Sequence, residues 1–148
     1  MIIKQSVVYI QHRFCVFFVL LCISVSDASF AKEQNVQEEI AALNNQSHTI
    51  LYRIKRLIGP ATCTQDEQCS ALPIGYKSCG GPSGYLVYSS QYSNEKSLHK
   101  LALRHREIHR QINQLQQLIS TCEFLTPPQV ACVKGKCQSI DPQSKKQR

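Results

Sequence analysis

The chain has 148 residues, with 17 Lys and Arg against 10 Asp and Glu, eight Cys, six Gly, six Pro and no Trp. At that length a single core is the rule, and 18% charged with 43% hydrophobic residues excludes both a wholly disordered chain and a multi-span membrane protein.

Residues 1–31 read as a secretory signal. Lys4 and Arg13 precede an apolar run from Phe14 to Val25, with Ser24 near its end and Ser26, Ser29 and Ala31 after it. The run is 12 residues long, too short for a helix to span roughly 30 Å of hydrocarbon, yet suited to the apolar region of a signal peptide. Ser29 and Ala31 are small residues at the spacing signal peptidase requires, so cleavage is expected after Ala31. An uncleaved anchor is the alternative. The lipoprotein reading is discarded because Leu21 stands before Cys22, where a small residue is needed. Cleavage leaves 117 residues, a net charge of +6 and six cysteines: Cys63, Cys69, Cys79, Cys122, Cys132 and Cys137. An even set in an exported chain reads as a disulfide framework. Zinc is the competing use, but structural sites favour two to four residues between close ligand pairs, and of the spacings here only that from Cys132 to Cys137 is so short.

A first helix is expected from a capping box at Asn35 and Glu38 to the last turn at Lys55 and Arg56. Gly59 and Pro60 stop it. Val36, Ile40, Leu43, Ile50, Ile54 and Leu57 make a heptad stripe with Ser47 in its one polar slot. A second helix, from about Asn94 to Thr121, repeats the pattern with Leu98, Leu101, Ile108, Ile112, Leu115 and Ile119, and His105 takes the polar slot. Laid antiparallel with Leu57 opposite Leu98, the stripes match along their length to Val36 and Ile119. That register brings Ser47 within about one turn of His105, where hydroxyl and imidazole can satisfy one another.

Between the helices, Pro73, Gly75, Gly80, Gly81, Pro82 and Gly84 preclude one regular element. Cys69 to Ile74 is the strand candidate. Tyr85, Leu86, Tyr88 and Tyr92 are read as a short helical turn. After Pro127 and Pro128, the run from Val130 suggests a hairpin turning at Lys134-Gly135, with Cys132 and Cys137 as cross-strand neighbours that either bridge directly or pair elsewhere. Two groups of three cysteines cannot pair internally, so at least one bridge must join them. The favoured arrangement pairs the strand near Cys69 with the hairpin near Cys132. The expected fold is therefore mainly α: an antiparallel helical hairpin over residues 32–140 with a small disulfide-clasped β and loop region, followed by a disordered basic tail, 141–148.

The spacing Cys63-x5-Cys69, Cys79-Gly80-Gly81-Pro82 with Tyr85-Leu86, Cys122 and Cys132-x2-Gly135-x-Cys137 resembles a group of small cysteine-rich proteins exported by proteobacteria. The resemblance covers about residues 60–138. It implies a bacterial envelope or extracellular setting and carries no activity and no functional residue with it. Lysozyme inhibitors of one type use Ser-Gly-x-x-Tyr, which the segment Ser83 to Tyr88 misses by one position.

Chemistry is sparse. Six paired cysteines leave no thiolate for His99, His105 or His109 to activate, and no Cys-x-x-Cys is present. His105 and His109 have metal-ligand spacing, but Arg106 replaces the Glu of the zincin motif, and Arg104, Arg106 and Arg110 surround them. No metal, cofactor or catalytic residue is expected. The basic residues are dispersed and lack interleaved aromatics, so nucleic acid is not expected. Gly80, Gly81, Pro82, Tyr85, Tyr88 and Tyr92 are read as a recognition surface. The favoured function is a non-enzymatic, exported module that binds a protein partner, as an inhibitor does. The alternative is an envelope-associated structural protein held on anionic surfaces by Lys145, Lys146 and Arg148. The heptad seam also permits a homodimer.

Overall fold

The computed structural model describes residues 3–119 and 123–140, with side chains from Ala31 onward. The elements are α1 (Ile3–Ile58), a 3-10 turn (Asp66–Gln68), β1 (Cys69–Ile74), β2 (Gly84–Ser89), α2 (Glu95–Leu115), β3 (Gln129–Val133) and β4 (Lys136–Ile140). The chain divides into a unit up to Glu39 and a unit from Ile40 onward. In the first, Lys32 to Gln37 show no buried side chain. In the second, the core begins at Ile40 itself.

The expected helix start at Asn35 is corrected: α1 runs through it. A cap residue ends a helix only where the preceding chain cannot continue it, and no Gly or Pro occurs before Gly59. The expected stop holds. Gly59 adopts φ 58°, its N–H donates to the Lys55 carbonyl at 3.0 Å, and Lys55 and Arg56 occupy the last turn. At α2 the side chain of Asn94 accepts from the Ser97 N–H at 3.0 Å, so Asn94 is the cap. α2 ends six residues before Thr121, at Leu115, because Gln117 turns left-handed at φ 49° and the Leu118 N–H closes on the Asn113 carbonyl. Ile119 therefore leaves the stripe and is 98% exposed, and Leu57 is exposed as well. Thr121, Cys122 and the tail 141–148 lie outside the described residues.

The mainly α, helical-hairpin fold is overturned. Two antiparallel β-hairpins accompany the helices, giving an α+β unit. β1 has the expected limits, but the expected helical turn at Tyr85 to Tyr92 is instead β2, paired with β1 from Cys69 opposite Ser89 to Ile74 opposite Gly84. Tyr-Leu-Val-Tyr is aromatic and branched, and it gives β1 the partner its backbone groups require. Far from clasping one end, this hairpin puts Leu72 and Tyr88 into the core with Leu43, Ile50 and Ile54 of α1 and Leu98, Ala102, Ile108 and Ile112 of α2.

β3 and β4 form the expected second hairpin, with Lys134 at φ 51° and Gly135 at φ 75°. Positive φ at both turn residues is what a two-residue type I′ hairpin needs. Cys132 and Cys137 face one another across it but do not bridge. The disulfides are Cys63–Cys132 and Cys69–Cys137, with Cα atoms 5.8 and 5.3 Å apart, and Cys79 is also disulfide-bonded. Both bridges join the two groups of three. Around them a second core gathers Ala61, Cys63, Cys69 and Cys137, reinforced by Cys63 N–H to the Gly135 carbonyl, Cys137 N–H to the Ala61 carbonyl and Cys132 N–H to the Asp66 carboxylate.

The bridges join residues 69 and 68 positions apart, and they are interleaved: each has one cysteine inside the loop the other closes and one outside it. With one intact, the second closes only the short paths between neighbouring cysteines. In the chain-entropy model, replacing either pair by Ala is expected to cost about 3 kcal/mol, and replacing both about 7. Urea unfolding of the three variants checks this; a double variant no worse than either single one contradicts it.

Candidate functional site

A chain of polar groups crosses the packed unit where the two polar slots of the heptads meet. Ser47 is 7% exposed and His105 3%. The Gly75 N–H donates to His105 Nδ1 at 3.1 Å. His105 therefore carries its proton on Nε2, which donates to Ser47 Oγ at 3.2 Å. Ser47 is left to donate to His109 Nε2 at 2.9 Å. The expected contact between Ser47 and His105 is present, with His109 and the start of the β1–β2 loop added to it.

This arrangement bears on the chemistries the histidines suggest. A metal-ligating imidazole binds through one nitrogen and donates from the other, whereas His105 accepts at Nδ1 and spends its proton on Ser47. The hydroxyl of Ser47 does meet a base in His109, but Ser47 is buried between the helices, and the two carboxylates of α2 are engaged elsewhere, Glu95 by Tyr88 and Glu107 by Arg110 and Gln111. The sulfurs of Cys63, Cys69 and Cys137, which lie within 4.8 Å of one another, are engaged in the two disulfides. The chain of bonds is a strut.

What the strut holds is the loop 75–83. Asn113 donates to the Tyr76 carbonyl at 2.8 Å, and the Arg106 guanidinium lies over the Tyr76 ring. The Ser83 N–H closes the hairpin on the Ile74 carbonyl, Lys77 reaches the Glu123 carbonyl, and Cys79 is bonded. At the tip, Gly80 (φ 94°) and Gly81 (φ 78°) take conformations that only glycine adopts without strain, with open space where their side chains would be.

The expected recognition residues are only partly brought together. Gly80, Gly81 and Pro82 share the loop, but the three tyrosines do not share a face. Tyr88 is 3% exposed and donates to Glu95 at 2.9 Å, so its place on the binding surface is corrected to the core. Burial, then Glu95, raises its pKa. Tyr85 donates to the Leu125 carbonyl, and Tyr92 lies beyond β2, exposed. The helical reading grouped residues 85, 88 and 92; in a strand, residues 85 and 88 point to opposite faces.

Beside the loop is a concavity of about 80 Å³, with Pro73, Pro82, Ala102 and Leu103 as its apolar wall and His99 and Arg106 on it. Leu103 is 64% exposed. Sequence reasoning weighed His99 and Arg106 only for other chemistry and passed over Leu103, although it carries a signal: it is an apolar residue off the stripe, among charged neighbours. No protein-family model, no curated protein and no solved structure matches the chain. Among the described residues no helix is long and apolar enough to cross a membrane, and the disulfides are compatible with an oxidising compartment.

Burial, then the charges of His109 and His48, lowers the pKa of His105 to about 4; burial and His48 lower that of His109. The unfolded chain takes up protons near pH 6.5 that the folded chain refuses. Stability is therefore expected to be full above pH 6.5 and to decline as pH falls towards 4, by up to about 3 kcal/mol from His105. Urea midpoints across that range check it, with His105→Gln expected to flatten the slope. Gly75, at φ 67°, leaves no room for a methyl: its Cβ would overlap Ser83 Oγ. Gly75→Ala is expected to cost about 2 kcal/mol, and Gly80→Ala, with strain but no clash, about 1, measured by the same denaturation.

Proposed function

We propose that the chain is an exported, disulfide-stabilised binding module that recognises a protein partner through the tip of loop 75–83 and the adjoining face of α2. The observation that carries this reading is a loop held at Gly75, Tyr76, Lys77 and Cys79 beside an open, proline-walled concavity with Leu103 exposed at it. A surface already ordered loses little conformational freedom on binding, and an exposed apolar residue ringed by His99 and Arg106 has the make-up of an interface centre with a polar rim. Inhibitors act through such surfaces, and the resemblance to small cysteine-rich proteobacterial proteins supports an envelope or extracellular setting. In this reading the N-terminal segment directs export and the bridges replace the large core that a chain of this size lacks.

Photo-crosslinking tests the face directly. A photoreactive residue at Leu103 or Pro82, expressed in the native host, is expected to give a discrete adduct that the same residue at Lys134 does not, and Leu103→Asp is expected to reduce capture at Pro82 at least about tenfold. Adducts of equal yield from all three positions would sink the assignment.

A further inference from the structure

A second concavity, of about 310 Å³, lies between α1 and α2 on residues the loop face does not use. Ile50, buried, and Leu101, half-buried, supply its apolar lining. Arg53 of α1 and Arg104 of α2 bring a guanidinium from each helix, and Asn45, Gln46 and Thr49 complete the α1 side.

The charge here is not neutralised locally. From Ile40 to Ile58, α1 contains no Asp or Glu. The two acids of α2 are engaged: Glu95 accepts from Tyr88, and Glu107 is held by Arg110 and Gln111. Among the described residues neither Arg53 nor Arg104 has an ion pair or hydrogen bond. One guanidinium satisfies a planar carboxylate with two parallel bonds, whereas two guanidiniums from different helices suit a tetrahedral oxyanion, whose oxygens lie in more than one plane. The Thr49 hydroxyl already donates to the Asn45 carbonyl at 2.9 Å, so towards a ligand it acts as an acceptor, which calls for a hydroxyl donor. The volume exceeds that of a bare phosphate and leaves space for a small body carrying such hydroxyls.

We propose that this groove binds the phosphoryl group of a small polyol phosphoester, with Arg53 and Arg104 on the oxyanion and Asn45, Gln46 and Thr49 on the polyol. The ester is either soluble or the headgroup of an anionic lipid, and the chemistry that recognises it is the same.

Calorimetric titration of the oxidised full chain with glycerol 3-phosphate is expected to show saturable one-to-one binding. Arg53→Gln/Arg104→Gln is expected to weaken it about ten- to hundredfold, and Arg53→Lys/Arg104→Lys to restore only part. Lys96→Gln/Lys136→Gln removes the same charge elsewhere and is expected to change affinity less than about twofold. All four substituted side chains are exposed, and circular dichroism verifies that each variant is folded. Flotation with phosphatidylglycerol vesicles, but not phosphatidylcholine vesicles, with the same dependence on Arg53 and Arg104 assigns the ester to a lipid. Titration without flotation assigns it to a soluble compound. Equal weakening by the two Gln variants, or no binding of either probe, overturns the proposal. The crosslinking result at Leu103 is independent of both.

Discussion

The buried imidazole of His105 has to find both its hydrogen-bond partners within the protein, and the two it finds come from different parts of the chain. Ser47 lies 58 positions before it and Gly75 lies 30 before it. An unpaired ring nitrogen at that depth would cost a few kcal/mol, so helix packing and loop placement are settled together. If α1 turned by one residue, Ser47 would leave the seam; if the loop started elsewhere, Nδ1 would lose its donor. The same bond explains why residue 75 is glycine. Its amide must approach α2 closely, and the space a methyl would need belongs to Ser83.

The disulfides act at the other end of the β1–β2 hairpin. Cys69 begins β1 and is bonded to Cys137 in β4, while the last residue of β1, Ile74, precedes the glycine held by His105. One strand is thus fixed at its start by covalent bonds to the second hairpin and at its finish by a hydrogen bond to α2. Two small sheets of two strands each would be marginal alone. Here each borrows stability: the first from the helices through Leu72 and Tyr88, the second from two interleaved bridges and the cluster around Ala61.

Local chemistry made several elements legible. Gly59 and Asn94 act at single helix ends, Lys134-Gly135 specifies a turn within two residues, and the parity of two cysteine triplets required a crossing bridge. The contact between Ser47 and His105 was legible because each was the only polar break in an apolar stripe. The misreadings arose where local preference and long-range need diverged. Asn35 and Glu38 have the residues of a helix start, but nothing upstream breaks the helix. Tyr85 to Tyr88 fits a helical spacing, yet β1 needed a strand beside it, and that need is visible only when the unpaired backbone of Cys69 to Ile74 is counted. The candidate site followed the same division. Glycines 80 and 81 announced a loop tip, while the surface formed with His99, Leu103 and Arg106 depends on how the loop is laid against α2.

The placement of charge follows from how few acids the packed unit has and where they are spent. Glu95 serves the buried end of Tyr88, Glu107 is clamped by the neighbouring arginine, and Asp66 accepts from the Cys132 amide. Each of these carboxylates satisfies a donor that folding positions. What remains along the helices from Ile40 onward is cationic: Arg53, Lys55 and Arg56 on α1 and Lys96, Lys100, Arg104 and Arg106 on α2. Lys55 and Arg56 suit the last turn of α1 and Arg106 lies over the Tyr76 ring, while the rest of that surplus opposes the fold slightly through self-repulsion. A positive field of this kind persists at little cost when an anion supplies the missing charge, and the groove lined by Arg53 and Arg104 is where two cations from separate helices line a single space.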